Sequence, residues 1–239
     1  MNLIIDMGNT AAKVAVYKEN ERVSLYRVKD LNNEELRKKL APFKIDKAII
    51  CSVRKDSDPA SDLVSLRIPY LHILSSKSRL PFRIEYDTPE TIGPDRLAAV
   101  AGACFAWPGS DVLIIDAGTA ITYDYLSGKT YRGGNISPGM GIRFKALNKF
   151  TGRLPLVEAS EIFTSPGRNT TDAIVAGVVS GIIYEINEYI RTFEKKYSQV
   201  KVVLTGGDGG FLRNKISHNV TFMPDIVVDG LNNILEYNA

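Results

Sequence analysis

The chain has 239 residues, 44% hydrophobic and 24% charged, with 30 Lys and Arg against 27 Asp and Glu. That length can bury a sizeable core as one large domain or two modest lobes, while a net charge of +3 offers nucleic acid no dedicated surface. No basic segment leads into a long apolar run near Met1, so neither a signal peptide nor a membrane span is expected, and the expected location is the cytoplasm.

The N-terminus reads as a strand, Leu3 to Ile5, then a tight turn at Gly8 and a second strand from Lys13 to Tyr17 with apolar residues on alternate positions. A polar turn at Glu19-Asn20-Glu21 leads to a third strand, Val23 to Val28. NNEELRKKL is rich in helix formers and opens on asparagine, a good cap, and the apolar run AIICSV after it suits a buried strand. The order so far is β-β-β-α-β. Prolines 81, 89 and 94 punctuate the next segment, and Pro94 is suited to the first position of a helix through DRLAAVAGACFA that Trp107-Pro108-Gly109 stops.

From Asp111 the first steps recur: VLIID, a turn at Gly118, AITYDYL, a turn at Ser127-Gly128, and a strand through Tyr131. Asp6 and Asp116 stand 110 residues apart, a period that suits an internal duplication. The longest helix is expected from Asn169-Thr170 to Tyr197, with Ala173, Ala176, Gly177, Ser180 and Gly181 forming a small-residue stripe for close packing against another lobe or a second subunit. VKVVLT, ending at Gly206-Gly207, is the last expected strand. Gly133-Gly134 and Pro138-Gly139 suit either plain turns or the shaping of a site. Cys51 and Cys104 fall in apolar or small-residue runs where a free thiol acts as a small hydrophobe, and His72 and His218 lack metal-ligand spacing.

DMGNT and DAGTAIT each put an aspartate at the carboxyl end of an apolar strand, followed by a glycine that lets backbone N–H groups approach an anion. A polyphosphate needs such donors, short hydroxyls and a cation held by carboxylate. With TGGDG after a buried strand, the set resembles the phosphate and adenosine motifs of the superfamily of actin, hexokinase and acetate kinase. Within it, IGPDRLAAVAGA, together with DMGNTAAK, DAGTAITYD, GGNISPGM, NTTDAIVAG and VVLTGGDG in this order, resembles the type III pantothenate kinases over nearly the whole chain.

The resemblance implies an α/β fold of two similar ribonuclease H-like lobes, duplicated βββαβ-type units around an ATP cleft, divided as 1–110 and 111–239. It implies ATP-dependent phosphorylation of pantothenate, the first step of coenzyme A biosynthesis, by a homodimer using Mg²⁺ and a monovalent cation, K⁺ or NH₄⁺. Carried over onto matching positions, Asp6, Met7, Gly8, Asn9, Thr10, Ala11, Ala12 and Lys13 would form the first ATP-binding loop, joined by Thr119, Gly206 and Gly207. Asp6 would serve Mg²⁺, directly or through water, and Asp116 the potassium site. Asp95 would be the catalytic base, with Tyr86, Gly93, Pro94, Arg96 and Thr170 at the pantothenate pocket. Asp95 lies in a helix's first turn, where the macrodipole favours its ionised form, and Arg96 has the planar donors a carboxylate requires. Pro94 and Leu97 stand where the family has alanine and commonly tryptophan. Another small-acceptor kinase of the superfamily and a non-enzymatic regulatory relative are the alternatives.

Overall fold

A computed structural model describes residues 1–29, 33–54, 68–197 and 199–239. The chain divides into two compact units: Met1–Gly109 with Leu126–Gly133 and Asp225–Ala239, and Ser110–Tyr125 with Gly134–Pro224.

In the first unit, β1 (Asn2–Met7), β2 (Ala12–Lys18), β3 (Glu21–Val28), β4 (Lys47–Ser52) and β5 (Tyr70–Ile73) form a sheet in the order β3-β2-β1-β4-β5. β1 pairs antiparallel with β2 and parallel with β4. As an inner strand covered on both faces, β1 carries a continuous apolar run. Leu3, Ile5 and Met7 join Val14, Val16 and Ile50 in a core closed by Leu36 and Leu40 of α1 (Asn33–Leu40). Asn32, among the asparagines expected to cap α1, lies outside the described residues. On the opposite face, Asn2 donates to Asn232 at 2.9 Å and Glu236 at 2.6 Å.

Both partners of Asn2 belong to a C-terminal helix that the sequence reading left unassigned, Ile226–Asn238, which belongs to the first unit although position alone put residues 111–239 in one lobe. Its neighbour is α2 (Pro94–Ala106), and paired glycines explain the fit. A Cβ on Gly230 would lie 1.9 Å from the Ala98 carbonyl oxygen, and one on Gly102 would lie 2.4 Å from that of Ile226. The two backbones touch where neither helix carries a side chain.

The second unit repeats the plan. β7 (Asp111–Ala117), β8 (Ala120–Ser127), β9 (Thr130–Pro138), β10 (Lys201–Thr205) and β11 (Thr221–Phe222) run in the order β11-β10-β7-β8-β9, the same sequence of partners as in the first sheet. The far end of β9, assigned to the first unit, pairs parallel with β6 (Arg83–Ile84). α3 (Met140–Phe150) and α4 (Thr170–Lys196) cover one face, with Met140, Phe144, Val175, Val179, Ile182 and Ile186 packed on Leu113, Ile115, Ile121 and Tyr123. α4 is long and apolar enough to cross a membrane by length and composition, but its apolar stripe is this core. Asn169 caps it, accepting from the Asp172 N–H at 2.9 Å. Within the stripe of small residues, Ala176 is buried while Ala173 and Gly177 are exposed. α5 (Gly209–Leu212) follows β10, and the C-terminal helix is α6.

Candidate active site

Strand register brings the first unit's candidate residues together. Asp6 pairs with Lys13 on β2 and with Cys51 on β4, and Lys13 pairs with Arg27 on β3, so one rung across four strands reads Cys51, Asp6, Lys13, Arg27. Residues directly opposite share a face. Between β1 and β2 only Gly8 to Ala11 form the turn, whereas Asp6, Met7, Ala12 and Lys13, also expected in the loop, are strand residues. The Gly8 N–H donates to the Ala11 carbonyl at 3.1 Å, and Asn9, Thr10 and Ala11 are exposed. Arg54, absent from the sequence-derived set, donates from Nε to the Gly8 carbonyl at 2.9 Å and braces this turn.

Asp95 belongs to the same cluster. Burial lifts the Asp6 carboxyl from its ordinary 3.8 to about 6; the Lys13 ammonium lowers it, and the Asp95 carboxylate adds to the rise. The Cys51 thiol is likewise pushed up, by burial first and then by Asp6 and Asp95. Two carboxylates on the same unit, one ending β1 and the other starting α2, therefore feel each other. Asp95 Oδ1 accepts from the Arg96 N–H at 2.9 Å, and a Cβ on Gly93 would meet that same oxygen at 2.6 Å. The glycine makes room for this rotamer.

Arg96 is buried, and its Nη2 donates to the Tyr131 hydroxyl at 2.8 Å. Tyr86 stacks on Tyr131 with centroids 6.3 Å apart, and Gly133, at φ +93°, lets the backbone pass 3.2 Å from the Tyr86 ring measured from where its Cβ would be. Pro94 occupies the first helical position as expected, and Leu97 is fully buried. Gly93, Pro94, Asp95, Arg96 and Tyr86 thus fall in one unit. Thr170, the sixth pocket candidate, is the exposed first residue of α4 in the other.

In the second unit, the turn at Gly118-Thr119 is held by two further glycine turns. A Cβ on Gly139 would lie 2.2 Å from the Gly118 carbonyl and 2.4 Å from that of Thr119, and the Gly139 N–H donates to Thr119 at 3.1 Å. Gly206, at φ +90°, would put a Cβ 2.4 Å from Asp116 Oδ1 and 2.3 Å from the Ala117 carbonyl, which also accepts from the Asp208 N–H at 2.9 Å. Gly207 and Thr119 are exposed. Gly139 therefore packs closely on the Gly118-Thr119 turn, and Glu185 of α4 anchors the segment just before it. Burial would raise this carboxyl, but Ser137 (2.5 Å), Arg143 (2.5 Å) and Tyr123 (2.8 Å) all donate to it and hold it below the usual carboxylate range. Arg143 Nε also donates to the Pro138 carbonyl at 2.8 Å.

Among the described residues, no three His, Cys, Asp or Glu side chains gather as a metal centre. A single buried carboxylate such as Asp6 fits the way Mg²⁺ is ordinarily held, by one or two carboxylates with phosphate oxygens and waters making up the rest.

The profile of the type III pantothenate kinase family matches residues 2–192. Type III pantothenate kinases of Porphyromonas gingivalis strain W83 and Bacteroides fragilis strain YCH46 are each 43% identical to the chain, which is covered completely, as are 99% and 98% of theirs. Among solved structures, a Campylobacter jejuni protein described as a Baf family transcriptional activator superposes with a TM-score of 0.64 at 25% identity, covering 99% of this chain and 98% of its own. A Listeria monocytogenes protein described as an N-acetylmannosamine kinase gives 0.58 at 13% identity, with 100% and 99% covered, and shares the fold. The α/β fold of two similar units is borne out by this likeness together with the repeated strand order. The chain belongs to the type III pantothenate kinase family.

Proposed function

We propose that this enzyme phosphorylates pantothenate with ATP to give 4'-phosphopantothenate, the first step of coenzyme A biosynthesis, with Asp95 as the base. The observation that carries the reading is the family match over residues 2–192 together with full-length relatives at 43% identity, and Asp95 lies in the same unit as Asp6 and the Gly8 turn. A carboxylate meant to take a proton from an attacking alcohol has to sit beside the place where the phosphate is bound.

In the step itself, the pantothenate primary hydroxyl oxygen forms a bond to the γ-phosphorus as the bond to the ADP oxygen breaks, and the hydroxyl proton passes to Asp95. The Gly8 turn offers backbone N–H groups to the polyphosphate and Lys13 offers its ammonium. Arg96, braced by Tyr131, holds the pantothenate carboxylate, with Tyr86 on the pocket wall. Thr170 contributes a hydroxyl to the pocket. From the second unit, Thr119 contacts phosphate, and Gly206 and Gly207 admit the nucleotide where side chains would block it. Mg²⁺, served by Asp6, supplies charge neutralisation on the phosphates when bound. Asp116 serves a monovalent cation, K⁺ or NH₄⁺. The exposed stripe at Ala173 and Gly177 is the seam of a homodimer, and the enzyme works in the cytoplasm.

Incubation with ATP, Mg²⁺ and K⁺ over a panel of pantothenate, sugars and short hydroxy acids, followed by mass detection, tests the reading. Phosphopantothenate is the expected product; phosphorylation of another acceptor in its place, or of none, overturns it. Replacing K⁺ by Na⁺ is expected to lower turnover, and equal rates in both salts would remove the cation from Asp116.

A further inference from the structure

The Lys13 ammonium has a second carboxylate beside it that no motif assigns. Its Nζ donates to Asp225 Oδ1 at 3.2 Å, and Asp225 also pairs with Arg22 at 3.1 Å and Arg27 at 3.5 Å. The Asp225 side chain is only 12% exposed, so these contacts escape most of the solvent screening that makes surface ion pairs weak. Asp225 also occupies the N-cap position of α6, where an aspartate normally accepts from its own helix's N–H groups. Here it makes no such bond, and its carboxylate turns to the cations of β2 and β3.

The register explains why a carboxylate is needed there. Lys13 and Arg27 are directly opposite on paired strands, an arrangement that like charges destabilise, and on its other side Lys13 faces Asp6. Without the Asp225 contact, a flexible ammonium between a cation and an anion shifts toward the anion. It would then lie on the Asp6 carboxylate and away from an incoming phosphate. The next acidic residue of α6 is otherwise engaged: Asp229 pairs with Arg22 and accepts from the Tyr17 hydroxyl.

We propose that Asp225 is a positioning residue for ATP, fixing Lys13 in the orientation that meets the phosphates and keeping it off Asp6. Ordering the lysine before the nucleotide arrives removes that ordering cost from binding. The proposal rests on the reading of the Gly8 turn and Lys13 as a phosphate site.

The test uses the full chain and steady-state kinetics at saturating pantothenate. Asp225→Asn is expected to raise the KM for ATP about tenfold with kcat kept within about twofold, the signature of lost binding and not of lost chemistry. Asp229→Asn, which removes a carboxylate from the same helix, is expected to leave both constants unchanged. Lys13→Ala raises the ATP KM, and adding Asp225→Asn to it produces no further rise, because the aspartate acts through the lysine. An unchanged ATP KM in Asp225→Asn beside a raised one in Lys13→Ala overturns the proposal alone. An equal rise from Asp225→Asn with and without Lys13 also overturns it, since the carboxylate then acts on the fold. An unchanged KM in Lys13→Ala removes the phosphate-site reading as well. Should the Asn variant not fold, Asp225→Glu carries the test: the displaced carboxylate is expected to raise the ATP KM only while Lys13 is present.

Discussion

Asp6 and Asp95 have opposed requirements, and the difference is measurable. Asp95→Asn keeps the shape of the helix start but cannot take the hydroxyl proton, so turnover is expected to fall roughly 10²- to 10⁴-fold with ATP affinity, read by calorimetry, largely kept. Unchanged turnover would exclude Asp95 as base. For Asp6 the prediction concerns stability. Its folded-state pKa of about 6 lies above the ordinary 3.8, so the folded chain holds that proton over a window in which the unfolded chain has released it. Stability from this group is present below the lower value and is lost as pH rises through the upper one. Asp6→Asn, in metal-free buffer, is therefore expected to melt several degrees above the parent at pH 7.5, corresponding to about 2–3 kcal/mol, with the gap closing near pH 4. A gap independent of pH would mean that Asp6 ionises without penalty. Both aspartates were legible in the sequence because each stands at a strand end or helix start within a recognisable string. Arg54, Tyr131 and Asp225 were not, because their partners lie 46, 35 and 212 residues away and only the folded sheet brings them together.

At the scale of elements, the placement of the helix carrying Asp95 depends on the crossing of α2 and α6. Gly230→Ala puts a methyl group where the Ala98 carbonyl now sits, and a backbone cannot give way as a side chain can. The helices must separate, at an expected cost of about 1–3 kcal/mol, and calorimetry should show a lower melting temperature together with a fall in kcat as α2 carries Asp95 with it. A parent-like melting point would show that the crossing is looser than its glycines imply. The repeated β-β-β-α-β run was readable, because alternating and continuous apolar stretches separated by Gly, Asn and Ser turns mark strands well. α3 and α6 were missed. MGIRFKALNKF and IVVDGLNNILEYN follow turn-rich segments and mix polar with apolar residues, and the partner that makes α6's glycine intelligible is more than 120 residues away in the chain.

For the molecule as a whole, the assembly prediction rests on Gly177, where a Cβ would meet nothing within 4 Å. Gly177→Leu therefore costs the single chain little, yet a bulky group on the proposed dimer seam should shift the protein toward monomer in light scattering; an unaltered dimer places the interface elsewhere. The return of α6 to the first unit bears on synthesis. Asn2 finds Asn232 and Glu236, Gly102 finds Ile226, and Lys13 finds Asp225, so these residues wait for partners made much later in the chain. While α6 is still inside the ribosomal exit tunnel, a nascent chain has the strands of its first sheet but not the helix that covers them, and that unit completes its fold only once Asp225–Ala239 has emerged.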